Sequence, residues 1–79
     1  MSDVEKAVFW IHDRKCRVLV FSFDGKVMDN DDSWNNLASA QCDVFHKYGY
    51  GVTHENVARS DTKRIEELNA IFDARMTVV

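Results

Sequence analysis

Residues 16–23, CRVLVFSF, are apolar on both alternating faces, with Val18 and Val20 on one and Leu19, Phe21 and Phe23 on the other. A strand of this kind is covered on both sides. Asp24-Gly25 follows, a strong hairpin signal because a type I′ turn needs positive φ at both central positions. Lys26-Val27-Met28 then reads as a short returning strand. Upstream, residues 2–12 carry two patterns. Ser2 with Glu5 fits a capping box, and Val4, Val8 and Ile11 recur at helical spacing. Val8-Phe9-Trp10-Ile11 is also a good strand, and HDRK a fair turn into the next one. A strand from about residue 7 is the preferred reading.

The period changes after Met28. Asp31, Asp32 and Ser33 suit the start of a helix, as N-caps and as charges at the positive end of its dipole. Trp34, Leu37, Ala38, Cys42, Phe45 and Tyr48 then recur at spacings of three to four. YGYG stops the helix, with Gly49 as its left-handed terminator. Thr53 opens a possible short helix. Ser60 or Asp61 caps a last one, with Ile65, Leu68, Phe72 and Met76 as its stripe. MTVV is a tail or a short strand. The expected fold is α+β: a small, mainly antiparallel sheet with a β-hairpin around residues 16–28, packed against helices near 33–48 and 61–75.

Composition narrows the function. The 79 residues make one small domain, and 46% apolar content is ordinary for a globular chain. No apolar run approaches the roughly 20 residues of a membrane span. The first ten residues lack the basic-then-apolar plan of a signal peptide. Two cysteines are too few for a disulfide framework, so reduced thiols in a cytoplasm are expected. The net charge is −3, and it is unevenly spread. Asp24, Asp29, Asp31, Asp32 and Asp43 stand in one stretch with a single base, Lys26. Direct nucleic-acid binding, which needs a clustered basic face, is not expected.

From Val18 to about Arg59 the chain resembles the start of a haloacid-dehalogenase-superfamily phosphatase. That family opens with a strand, then D-x-D-G-T-hydrophobic-x-D-S/T, then a helix that begins the cap region. The strand here is VLVF and the motif reads SFDGKVMDN, while YGYGVTHENVAR resembles the junction between the first two cap helices. The resemblance implies that Asp24 is the general acid/base and Asp29 the later acid. It also implies that the nucleophile, a magnesium-binding Asp in the family, is replaced by Ser22, and the Thr by Lys26. A serine cannot bind magnesium as a carboxylate does, and its hydroxyl is a weak nucleophile without an adjacent base. The family's later Ser/Thr, Lys and metal-binding acids have no counterpart within these residues. Phosphoryl transfer needs positioning and charge neutralisation that one Asp beside one Lys does not supply.

Other patterns are weaker. His12 with Cys16 and Cys42 with His46 have zinc-like spacing, but Cys42 reads more simply as core. Asp29, Asp31 and Ser33 match the first calcium-loop positions, yet Trp34 and Ala40 stand where Gly and Glu are required. Residues 42–64 admit a helix-turn-helix with Arg59, Lys63 and Arg64 towards phosphates. Trp10 and Trp34 read as core or rim residues, and either one, if exposed, would anchor a partner. The expectation is a non-catalytic interaction protein without cofactor or metal. It presents Asp24, Lys26, Asp29, Asp31, Asp32 and Trp34 to a protein with a basic surface, for example nucleic-acid-handling machinery blocked by a phage anti-defence protein. A phosphatase remnant and a helix-turn-helix module are the alternatives. Oligomeric state stays open.

Overall fold

Two strands buried on both faces organise the computed structural model, which describes residues 3–77. They are β1 (Val4–His12) and β2 (Lys15–Ser22). Phe9, Cys16, Val18 and Val20 point to one face, and Val8, Trp10 and Leu19 to the other. The strand reading of residues 7–12 therefore holds, and the strand starts earlier. A register shift between Val4 and Lys6 turns Val4 onto the same face as Ala7. The Ser2 capping box falls partly outside the described residues.

The turn read at HDRK forms as expected, whereas the Asp24-Gly25 hairpin differs from expectation in its turn chemistry. The two-residue turn with positive φ at both positions lies at Asp13 and Arg14, between β1 and β2. Arg14 sits there without being glycine, at a cost of roughly 1–2 kcal/mol. At Asp24-Gly25 only Gly25 has positive φ. Gly25 N–H donates to Ser22 O and Ser22 N–H to Lys26 O. This is a three-residue loop with a left-handed glycine, the next commonest hairpin after the two-residue kind.

The returning strand β3 (Val27–Trp34) is longer than the pattern suggests. It takes in Asp31, Asp32 and Ser33, so these residues do not cap the following helix, α1 (Leu37–Tyr48). Asn36 does, its side chain accepting from Ser39 N–H at 2.8 Å. Gly49 ends α1 with φ 87 as expected. The face that α1 lays on the sheet is Leu37, Ala40, Val44 and Tyr48. Ala38 and Cys42 are exposed, a correction to the expected stripe. Ala40 is buried because a small side chain lets the helix come close to the strands.

Thr53 does not open a helix. It begins β4 (Thr53–Asn56), which pairs in parallel with β1. The sheet is therefore mixed, in the order β3-β2-β1-β4, with the other two pairings antiparallel. Helix α1 carries the chain across the two central strands from one edge to the other. The last helix, α2 (Thr62–Thr77), covers the opposite face through Leu68 and Phe72, with Ile65 beside them. Asp61 caps it, accepting from Arg64 N–H. Met76 lies in α2 but is exposed, and residues 78 and 79 are outside the described residues. The α+β expectation with two helices on a hairpin-bearing sheet is what the structure has.

One polar knot ties α2 to the strands. Asn69 Oδ1 accepts from Trp10 Nε1 at 2.8 Å and from Arg17 Nη1 at 3.0 Å. Arg17 also meets Asp73 at 3.1 Å and lies over the Phe72 ring at 4.2 Å. On the other face His54 stacks on Phe45 at 4.1 Å and against Phe9 at 4.8 Å, and its buried Nε2 has no hydrogen-bond partner among the described residues.

Two predictions follow from this packing. Asn69→Ala removes the acceptor shared by Trp10 and Arg17 and is expected to cost about 1–3 kcal/mol in urea unfolding. Asp73→Asn, at a carboxylate that is itself exposed, should cost under about 1 kcal/mol, and equal costs would deny Asn69 this role. For His54, burial lowers the pKa from its ordinary 6.5. As pH falls through that value the unfolded chain takes up the proton first. Stability is then complete above about pH 6.5 and is lost on the way down to the depressed folded value. This acid-side slope, followed by urea unfolding at several pH values, should be shallower in His54→Phe.

Candidate interaction surface

Asp29, Asp31 and Asp32 fall on β3, which is an outer strand of the sheet, while Asp24 lies in the turn before it and Asp43 in α1. An eight-residue strand spans about 26 Å, so these residues form a rim rather than a point. The structure divides them by side. Asp29 and Asp31 stand opposite Val20 and Val18 in the ladder, and so lean towards α1. Asn30, opposite Leu19, leans towards α2, where Arg75 Nε reaches its Oδ1 at 2.9 Å.

Asp29 and Asp31 are engaged inside the molecule. Tyr48 Oη donates to Asp29 Oδ2 at 2.6 Å, and Asn30 N–H to Asp29 Oδ1 at 2.9 Å. Burial, then the Asp29 carboxylate, pushes the Tyr48 phenol well above the ordinary tyrosine range. Asp31 accepts from Ser33 N–H at 2.7 Å and from Ser33 Oγ at 2.6 Å. Burial alone would raise the Asp31 pKa, but the Ser33 hydrogen bonds and the Lys47 charge outweigh it and hold it low. Lys47 spans Asp43 at 3.2 Å and Asp31 at 3.8 Å. Its own pKa is raised, chiefly by the bond to Asp43. Substituting Asp29 or Asp31 therefore touches the fold.

The outward-facing members are fewer. Asp24 is exposed at the hairpin tip, where Ser22 Oγ donates to its Oδ1 and Lys26 N–H lies 3.3 Å away. The Ser22 bond, then the Lys26 N–H, lowers the Asp24 pKa. Lys26 Nζ stands 3.9 Å from Asp24. Asp32 is partly exposed and has no side-chain partner among the described residues. Trp34 is 40% exposed at the far end of β3. It lines a cavity of about 270 Å³ with Ser39, Cys42, Asp43 and His46.

A second cavity, about 450 Å³ and open, lies at the hairpin, and Asp3, Ser22, Phe23, Asp24, Lys26 and Met28 line it. Sequence reasoning missed Asp3, Phe23 and Met28. The alternating pattern places Phe23 in the strand, yet it stands 71% exposed in the turn. Its place immediately before Asp24-Gly25 was the available signal.

The zinc-like pairs separate. Cys16 is buried on the α1 side, while His12 Nδ1 lies 3.4 Å from Asn69 Nδ2 on the α2 side. Cys42 Sγ and His46 Nε2 remain adjacent at 3.7 Å on the exposed face of α1. Among the described residues no three His, Cys, Asp or Glu side chains are grouped to hold a metal. The segment read as a recognition helix is strand β4 with its following loop, and Arg64 within α2 reaches Glu55 at 3.4 Å, so no helix-turn-helix forms. The same strand replaces the helix–helix junction that YGYGVTHENVAR implied. No helix among the described residues is long and apolar enough to cross a membrane.

No protein-family model, no curated protein and no solved structure matches this chain.

The two thiols should report the site geometry directly. Burial, then the Asp31 charge, pushes Cys16 up to about 11. In native protein at neutral pH an aromatic disulfide reagent should therefore titrate Cys42 promptly and Cys16 only on unfolding. Two prompt thiols would contradict the packing of Cys16.

Proposed function

We propose that this protein is a non-catalytic interaction protein that offers its acidic hairpin and outer strand to a basic surface of another protein. The observation that carries this reading is the placement of Asp24, Asp32 and Trp34. Asp24 reaches solvent at the hairpin tip and Asp32 and Trp34 on the outer strand that follows it, while the only base in that stretch, Lys26, is turned to Asp24. Carboxylates on a rim attract a cationic partner and raise the encounter rate. An exposed tryptophan provides the apolar anchor that such an encounter lacks. A surface that handles nucleic acid is basic because it must face phosphates. A protein of this charge pattern would compete there, and inhibition of such machinery, as by a phage anti-defence protein, is the finer form of the proposal.

One observation favours a phosphatase remnant as the second reading: Ser22, Asp24 and Lys26 share an open cavity with Asp3. Against it, the Ser22 hydroxyl donates to Asp24 within the hairpin, and Asp24 is held ionised by that contact. The remnant would need a second chain to supply the missing parts.

The test is kinetic. A protein captured from native lysate on the wild-type chain is purified, and association rates are measured across a salt series. The rate should fall by about tenfold or more from low to high salt. The Asp24→Asn/Asp32→Asn variant should bind several-fold more slowly at low salt and lose most of the salt dependence. A rate indifferent to salt and to both substitutions would place the binding surface away from β3.

A further inference from the structure

The hairpin tip departs from ordinary turn chemistry. Turns favour glycine, proline and small polar residues, yet this one displays Phe23 at 71% exposure, with Met28 close by at 46%. These apolar groups do not stand alone. They line one open cavity of about 450 Å³ together with the carboxylates of Asp3 and Asp24. The backbone holds the arrangement in place: Phe23 N–H donates to Asp3 O at 3.3 Å, which fixes the start of β1 against the turn. The Asp3 carboxylate has no partner among the described residues, and Lys26 answers Asp24 alone. Lys26 also lines the cavity and pairs with one of its two acids, so an apolar wall with a carboxylate left over is complementary to a side chain with an apolar stem and a cationic end.

We infer that this cavity receives an arginine side chain of the basic partner; the inference rests on the acidic-surface reading and specifies the group that would dock. Arginine suits the site better than lysine for two reasons. Its planar guanidinium stacks on an aromatic ring and can bond two acceptors at once, whereas an ammonium is a compact, strongly hydrated charge. Its three-carbon stem can cover Met28 while the head reaches the carboxylates. The neighbouring acids of β3 would then steer the approach, and Asp29 and Asp31 would stay engaged with Tyr48 and Lys47.

The experiment is an amide chemical-shift titration of the full chain with three six-residue peptides, Gly-Gly-X-Gly-Gly-X. X is arginine, lysine or the neutral isostere citrulline, and the peptides are blocked at both ends. The arginine peptide should move the amides of Asp3 and of residues 22–28 first, and half-saturate at a lower concentration than the lysine peptide. Phe23→Ser should raise that concentration about three- to fivefold, the worth of one exposed cation–π contact. The same spectra show whether the variant stays folded. Asp3→Asn should weaken arginine binding without affecting the shifts of α2. Equal response to citrulline would mean an apolar occupant and overturn the inference. Concentration-dependent shifts of the same amides without peptide would mean a second copy and also overturn it. Shifts confined to Asp29–Asp43 would remove the arginine site and leave the acidic-surface reading standing. Silence towards both cationic peptides would remove both.

Discussion

Everything in this fold follows from a pair of strands that cannot face water on either side. β1 and β2 carry buried side chains on both faces. An antiparallel pair of this kind needs a cover above and below, and the described residues form two helices to provide it. One helix must take each face. Helix α1 leaves the β3 edge and delivers the chain to β4 at the opposite edge, so the central strands gain an outer neighbour on each side as well. The parallel pairing of β4 with β1 is the consequence of that crossing. Two thin apolar clusters result, each holding one helix to the sheet.

The polar character of β3 is the other side of the same constraint. An outer strand exposes unpaired backbone and invites another strand, and charge with local irregularity is how proteins blunt it. β3 has aspartates and two register shifts against β2. Asp29 and Asp31 bond N–H groups of their own strand, at Asn30 and Ser33. These acids thus belong first to the edge and to the contact with α1. Of the other acids, Asp24 is exposed at the hairpin tip and Asp32 has no side-chain partner among the described residues. The acidic surface is therefore narrower than a count of carboxylates suggests, and its apolar parts lie at its two ends.

The buried polar groups divide between a satisfied network and an orphan. Asn69 answers Trp10 and Arg17 together, which sets the position of α2 along the sheet as apolar contacts alone would not. Apolar packing tolerates sliding, while a shared acceptor between two fixed donors does not. His54 has the reverse character. Its ring fills space between Phe9 and Phe45 as an aromatic would, and its Nε2 carries the cost of that use.

The sequence by itself determined the elements whose signal is local. The double-faced apolar pattern of residues 16–23 specified a strand covered on both sides. HDRK marked a turn, Gly49 a helix end, and Ser60-Asp61 a helix start, because each depends on backbone preferences within a few residues. The acidic stretch was also legible as a charge pattern. Only the tertiary structure decided where β3 ends. Asp31, Asp32 and Ser33 are good helix caps and poor strand residues, yet ladder pairing with β2 outweighs that preference and passes the cap to Asn36. It also decided that residues 53–56 are a strand, since a four-residue polar segment has no reason to be extended until β1 offers it a free edge. Phase was likewise a tertiary matter. Two apolar stripes run along α1, and the sheet selected the one with Ala40, leaving Cys42 outside. The surface was divided in the same way. No local rule separates Asp29, bound to Tyr48, from Asp24, open to solvent, because the difference is made by a helix that returns nineteen residues later.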